Sequence, residues 1–258
     1  AMLLAGRRVG YPLKWIEDRR ENLIAANSAR VDRATVTMAV DAHGLLLGAE
    51  MDHLSDSGAY PLGGAPPTSD SLMATFPGPY RLPTMSWTAN AVFTNTVGRG
   101  SYRGPWQMET VAREQMMDRV AARIGIDPLE LRRRNVLRAE ELPYTTASGQ
   151  VYERISPAET LEQAVAMLDY EAFRTNQAKL RGDGRYLGVG ISLFVEPTAT
   201  GRGPLGTEGA LVRVEVDGSV SVYMGTGSHG QSLETTIAQV VADELRIDIA
   251  QISFHQGH

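Results

Sequence analysis

Glycine-rich stretches stand twice between an alternating apolar pattern and a helical one, and that order restricts the chain to a mixed α and β architecture. The first is Gly98-Arg99-Gly100-Ser101-Tyr102-Arg103-Gly104. It follows β alternation over residues 84–94 and precedes a helical pattern over 107–124, with Val111, Met116, Val120 and Ile124 near helical spacing. The second is Gly225-Thr226-Gly227-Ser228-His229-Gly230, between alternation over 219–224 and a helical pattern over 231–245. Glycine lets a backbone approach a ligand closely. A helix start offers free N–H groups and the positive end of the helix dipole. The second stretch is a candidate loop for a phosphate or a pterin-like ligand.

The flanking patterns fill in the rest. Residues 34–40 and 45–53 alternate about Asp41-Ala42-His43-Gly44 and predict a hairpin. Residues 11–16 look strand-like, with Pro12 suiting an edge, and 17–29 hold helix formers. Residues 56–83, rich in Gly, Pro and Ser, predict loops over the surface or a site. Asp127-Pro128 opens a helix that ends near Asn135. Helical patterns return over 158–168 and 170–180, after an irregular stretch over 138–157. Strands are expected over 187–195, 210–216, 219–224 and 252–255, with Asp217-Gly218 as a two-residue hairpin turn. The order is strands, helices, strands, helix, strand. It predicts an α+β fold of mixed sheets with packed helices, without regular βαβ alternation. Two parts are expected, 1–155 with the first glycine loop and 156–258 with the second. The chain stops directly after a strand, so a piece of a longer domain is expected.

Composition narrows the chemistry. With 258 residues and 43% apolar content the chain can bury a core. It has no cysteine, which removes disulfides, zinc–thiolate sites, iron–sulfur ligation and thiol nucleophiles from this chain. The net charge is −5, and Lys and Arg form no long stripe, which speaks against a nucleic-acid partner. Arg132-Arg133-Arg134 reads as a solvated helix face. No apolar run reaches the length of a membrane span, so no membrane partner is expected. His43, His53, His229, His255 and His258 lack metal-ligand spacing, and no metal ligand is assigned. Met108, Met116 and Met117 read as core filler.

Residues 225–230 fit G-x-G-x-x-G. A dinucleotide site of the Rossmann kind also needs a parallel βαβ unit and an acid about 20 residues further on. Here the preceding strand reads as half of a hairpin, and the strand after the helix ends in Phe254-His255-Gln256. The pattern recurs at residues 201–206 in a chain with 26 glycines, so a plain turn stays open beside a ligand loop. In the first loop the planar fork of Arg103 suits a phosphate or carboxylate, and an arginine that merely ties down its loop stays open too.

These loops resemble those of the molybdenum hydroxylases, the family of xanthine dehydrogenase, aldehyde oxidase and carbon monoxide dehydrogenase. Thr94-Asn95-Thr96 followed by Ser101-Tyr102-Arg103-Gly104 is similar to the family's loop beside molybdenum. His229-Gly230-Gln231, then Glu234-Thr235-Thr236 and Gln239, is similar to its pterin-binding loop and helix. Further markers agree in order: Leu13-Lys14-Trp15-Ile16-Glu17-Asp18-Arg19-Arg20-Glu21, Asp56-Ser57-Gly58-Ala59-Tyr60, Gly78-Pro79-Tyr80, Pro128-Leu129-Glu130-Leu131-Arg132 and Pro143-Tyr144-Thr145-Thr146. The resemblance implies an oxidoreductase with a molybdenum–molybdopterin cofactor, which hydroxylates an aldehyde or an aromatic N-heterocycle with oxygen from water. It leaves open whether the cofactor is the cytosine dinucleotide form. It implies cofactor contacts from Arg103, Gly104, His229, Gly230 and Gln231, and a substrate pocket near Pro105 and Trp106. It implies partner subunits carrying 2Fe–2S clusters and FAD, a small-molecule substrate, a bacterial cytoplasmic setting, and is compatible with a dimer.

Departures from the family pattern matter equally. Copper-type carbon monoxide dehydrogenases place a cysteine after the loop arginine; Gly104 stands there. Purine oxidisers use an arginine before the loop, where an ungapped register gives Ser71, and their loop Phe is Pro105. The second glycine of the family's Gly-Gln-Gly is Ser232, with Leu233 beside it, which weighs against tight dinucleotide packing. The family's general base, a glutamate, falls beyond residue 258, and its oxo-bonding glutamine before residue 1. No catalytic residue is therefore assigned in this chain. Glu109, Glu114 and Glu234 read as helix-surface or supporting groups, and the isolated chain is expected to be inactive. A non-catalytic nucleotide-binding domain and a scaffold that kept the fold remain the alternatives.

Overall fold

Alternation over residues 34–53 becomes a long hairpin in the computed structural model, which describes residues 2–28, 31–60, 73–100, 107–196, 208–228 and 230–257. Strands β1 (Asp32–Val40) and β2 (Leu46–Asp56) pair antiparallel from Asp32 opposite Ser55 to Val40 opposite Leu46. Asp41 closes the turn, its Oδ1 accepting from the backbone N–H groups of His43 and Leu45 at 2.8 Å each. β3 (Met85–Val92) lies parallel to β2, giving the order β1-β2-β3.

Helix α3 (Gln107–Ile124) packs on β1, and Met51, Phe76, Tyr80, Met117, Leu129 and Leu131 bury themselves in the core. Each such apolar side chain contributes roughly 1.5–3 kcal/mol. Helix α4 (Pro128–Asn135) starts as expected, with Asp127 accepting from the Leu129 N–H at 2.7 Å. Asn135 ties its end to the first hairpin: it accepts from the Leu46 N–H and donates to the Gly44 carbonyl, both at 2.8 Å.

Four expectations change in this part of the chain. Arg132 is not on a solvated face. It is fully buried, with Nε 3.0 Å from Glu114, Nη1 2.8 Å from Asp118 and Nη2 donating to the Ile191 carbonyl at 2.8 Å. Its neighbours do reach solvent, Arg133 pairing with Glu162 and Arg134 with Glu130. Glu109 and Glu114 are likewise buried; only Glu234 is exposed. Residues 11–16 form no strand, because Tyr11, Trp15 and Ile16 are exposed and Pro12 lacks an N–H for a ladder. Residues 187–195 also belong to no strand among the described residues. Side chains hold that segment instead: buried Arg113 donates to the Leu193 carbonyl at 2.7 Å, as Arg132 does to Ile191.

The remaining elements of this part are short. They are α1 (Met2–Val9), α2 (Arg19–Ala25) with its Asp18/Glu21 capping box, and the small hairpin β4 (Tyr144–Thr145) and β5 (Val151–Tyr152). Helices α5 (Pro157–Leu168) and α6 (Tyr170–Gly182) meet at Asp169.

Residues 1–196 and 197–258 form two compact units. In the second, β6 (Ala210–Val214) pairs antiparallel with β7 (Val220–Met224), and β8 (Ile252–Gln256) lies parallel to β7. Helix α7 (Leu233–Leu245) packs on β8. Two expectations change here. The turn after β6 closes between Glu215 and Ser219, with Asp217-Gly218 as its second and third residues and Gly218 at φ +86°. This is the three-residue hairpin loop that needs a left-handed glycine. And β7–α7–β8 is a parallel βαβ unit. A strand can pair with a hairpin partner on one edge and a crossover partner on the other.

Candidate cofactor site

Strands β2 and β3 run in the same direction and release their chains at the same end of the sheet. The segments that follow, 57–60 and 93–100, therefore run side by side. The Ser57 N–H donates to the Val92 carbonyl at 2.8 Å, Ala59 to Thr96 at 3.0 Å, and Arg99 back to Ser57 at 3.2 Å. The approach leaves no room for a side chain: a Cβ on Gly58 would collide with the Val97 carbonyl, and one on Gly98 with the Tyr60 carbonyl. Thr94 Oγ1 lies 2.8 and 2.7 Å from the Asp56 carboxylate oxygens, and the Gly58 N–H reaches the same carboxylate at 2.8 Å. The Thr94 hydroxyl, with the Gly58 amide, holds that carboxyl below its ordinary range. The Thr94-Asn95-Thr96 and Asp56–Tyr60 motifs are thus two halves of one structure. Asn27 donates to the Gly98 carbonyl at 2.7 Å and the Gly100 N–H donates to Ser28 at 3.0 Å, so the backbone is fixed as far as Gly100. Arg103, Gly104, Pro105 and Trp106 lie outside the described residues.

Beneath this exit sits a polar cluster that sequence reasoning missed. His53 Nε2 is 3.2 Å from Asp32 Oδ1. Arg99 Nη1 is 3.1 Å from that oxygen and Nη2 3.3 Å from Oδ2, and Nη1 also donates to Ser55 Oγ. Asp32 and His53 side chains are 1% and 0% exposed. Burial raises the Asp32 carboxyl, but the neighbouring His53 and Ser55 side chains and the Arg99 charge outweigh it and leave the group below its ordinary range. The signal was faint. Met51, His53 and Ser55 share the inward face of β2, and that face turns from apolar to polar toward the loop end.

Glu109, in the first turn of α3, is 2% exposed. Its Oε1 accepts from Thr110 Oγ1 at 2.6 Å, Arg113 Nη1 stands 3.8 Å away, and Oε2 is buried with no hydrogen-bond partner among the described residues. Burial pushes this carboxyl up despite Arg113.

In the second unit, residues 225–232 carry the chain from β7 into α7. His229 lies outside the described residues. Gly230 has φ +98°, and nothing stands within 4 Å of where a Cβ would be. Ser232, the N-cap, is left-handed at φ 56° and makes no side-chain capping bond, so α7 presents its first N–H groups without a side-chain acceptor from its cap. The Ser228 N–H donates to Gln256 Oε1 at 2.6 Å, fixing the loop to the end of β8. The Gln231 side chain belongs to an exposed residue, and Thr226 Oγ1 is buried with no partner among the described residues. An orphaned hydroxyl, an open glycine and an uncapped helix start fit a polar, anionic cofactor such as a pterin phosphate. They fit a dinucleotide less well: the βαβ unit is present, but β8 ends in Gln256, where a ribose-binding acid would be needed.

Among the described residues no group of three or more His, Asp or Glu could hold a metal ion, and no helix is long and apolar enough to cross a membrane. His255 stacks on Tyr223 instead, centroids 4.6 Å apart.

The described residues form an α+β fold, with glycines at the strand exits of the first unit and between strand and helix in the second. A family model described as the molybdopterin cofactor-binding domain matches residues 1–136, and a second of the same description matches 163–258; the chain belongs to this family of the molybdenum hydroxylases. It is 37% identical over 271 residues to the nicotine 6-hydroxylase large subunit of Paenarthrobacter nicotinovorans, covering 99% of this chain and 33% of that one. It is 37% identical over 249 residues to the 6-hydroxypseudooxynicotine dehydrogenase complex subunit gamma of the same organism, covering 94% of this chain and 31% of that one. Quinoline 2-oxidoreductase from Pseudomonas putida 86 superposes with a TM-score of 0.84 at 36% identity, over 98% of this chain and 34% of that one. The chain thus spans about a third of the length of these relatives. By name, two of them are subunits of larger assemblies.

Proposed function

We propose that this chain is the part of a molybdenum hydroxylase that grips the molybdopterin, in a protein that hydroxylates an aromatic N-heterocycle or an aldehyde with oxygen from water. The observation that carries the reading is the loop over 225–232, whose open Gly230, uncapped helix start and orphaned Thr226 hydroxyl suit a polar cofactor. Gly230 and Gln231 hold the pterin there, together with His229. In the first unit Arg103 and Gly104, three and four residues along the sequence from Gly100, contact the cofactor near the metal in this reading. Pro105 and Trp106 line the substrate pocket. When bound, the molybdenum–pterin group supplies the two-electron redox centre and the oxygen transfer. This chain's residues bind and orient it and assign no acid or base of their own. The heterocycle is the favoured substrate class, because relatives with this degree of identity are named for nicotine and quinoline. Electrons leave through 2Fe–2S clusters and FAD on partner subunits, in the cytoplasm. A functional division at 155/156 falls between the two matched stretches, each part bringing one glycine loop.

The test is metal and pterin analysis of the protein expressed in its full reading frame under molybdate supply, beside the 258-residue chain alone. The full protein is expected to carry molybdenum and to place 18O from labelled water on a quinoline or pyridine ring, and the chain alone to be inactive. A full-length protein without pterin would sink the proposal.

A further inference from the structure

Asp32, His53, Ser55 and Arg99 cluster where β2 and β3 deliver their chains. A buried ion cluster is a poor source of stability, because well-packed apolar side chains of similar volume do as well or better. What charges do provide is direction. Arg99 Nη2 donates to Asp32 Oδ2 at 3.3 Å and Nη1 donates to Ser55 Oγ while standing 3.1 Å from Asp32 Oδ1, so two nitrogens of the planar fork are anchored at two points, which fixes the plane as well as the position of the guanidinium. His53 Nε2 approaches the same carboxylate from the β2 side at 3.2 Å. The Arg99 backbone is held separately, its N–H on the Ser57 carbonyl, and the next residue's N–H on Ser28. Residue 99 is therefore pinned by side chain and main chain, one residue after Gly98, whose lack of a Cβ permits the crossing. Both ring nitrogens of His53 are buried without a hydrogen bond among the described residues, so the Asp32 carboxylate 3.2 Å from Nε2 is the charge that faces the imidazole.

We propose that Asp32, His53 and Arg99 are positioning residues for cofactor retention: an ionic clamp in the sheet that sets the direction in which the backbone leaves at Gly98–Gly100. The proposal rests on the molybdopterin reading above. It assigns a role to the charges beyond holding the sheet together.

The test uses the full-length protein and reads bound pterin, by fluorescence of the oxidised released form, and the melting temperature of the cofactor-free protein. Arg99→Lys keeps the charge and loses the planar fork that reaches Asp32 and Ser55 at once. Asp32→Asn removes the carboxylate. His53→Gln keeps a donor close to the Nε2 position, whereas His53→Phe removes it. The expected result is a loss of bound pterin of about tenfold or more in R99K, D32N and H53F, near-normal content in H53Q, and R99K melting within a few degrees of the unaltered protein. Normal pterin content in R99K and D32N would overturn the proposal. So would pterin loss in R99K, D32N and H53F that merely follows a matching fall in melting temperature, or equal loss in H53Q and H53F. Absence of pterin from the unaltered full-length protein would instead count against the function proposed above.

Discussion

At the scale of single residues, Ser232 explains a departure that the sequence only displayed. The family pattern has glycine at this position, and the chain places serine there at φ 56° with no capping bond. A Cβ in the left-handed region is strained, and this hydroxyl makes no capping bond to offset it. Ser232→Gly is therefore expected to raise stability by about 1 kcal/mol, read as a higher urea midpoint with an unchanged slope. An unchanged or lower midpoint would mean that the serine is held by something outside its own backbone. The same scale shows what could be read in advance. Gly230 and Gln231 stood out because glycine ahead of a helix has a physical meaning on its own. Asp32, His53 and Arg99 did not stand out, because their meaning lies in each other and the sequence separates Arg99 from Asp32 by the rest of β1, all of β2 and all of β3.

At the scale of elements, local patterns were legible and partners were not. The first hairpin, α3, α4, α5 and the strand–loop–helix over 220–245 follow from alternation, caps and helical spacing. The parallel pairing of β3 on β2 and β8 on β7 was not visible, since alternation says which face is buried and never which strand lies alongside. Residues 187–195 show the converse, an alternating stretch without a ladder. Arg132 departs from the solvated face for the same reason: its partners are Glu114 and Asp118 on α3 and the Ile191 carbonyl, none of them on its own helix. Arg132→Met would leave Glu114 buried beside Tyr80 and Arg113 with one partner gone. A loss of about 3 kcal/mol or more is expected in chemical denaturation, with part of it recovered in the double variant Arg132→Met, Glu114→Gln. Equal stability of the single variant and the parent would show that α3 and α4 do not depend on this pair.

At the scale of the whole molecule, the carboxyls divide into two groups with opposite pH dependence. Asp32 and Asp56 are held below their ordinary range. Their contribution is complete above about pH 4, where the unfolded groups are ionised, and fades as pH falls toward the depressed folded values. Glu109 is raised by burial, so it contributes most below about pH 4 and its contribution is lost as pH rises through the raised folded value. Stability measured by urea unfolding is expected to rise gently as pH falls from neutrality toward the carboxyl range and to drop once it passes below about pH 4. Glu109→Gln should abolish the gentle rise and leave the acid drop in place. A drop that begins near neutrality in the parent would contradict the assignment of the buried glutamate.

The crossing at Gly58 and Gly98 bears on how such a chain can change over generations of mutation. In each case the obstacle to a side chain is a carbonyl oxygen of the main chain, Val97 for one and Tyr60 for the other. A bulky neighbour can be trimmed by a second mutation, but a carbonyl is common to every amino acid. Neither glycine therefore has a compensating substitution open to it at the point of collision, and the two strand exits can diverge in sequence around the crossing while the crossing itself stays closed to variation.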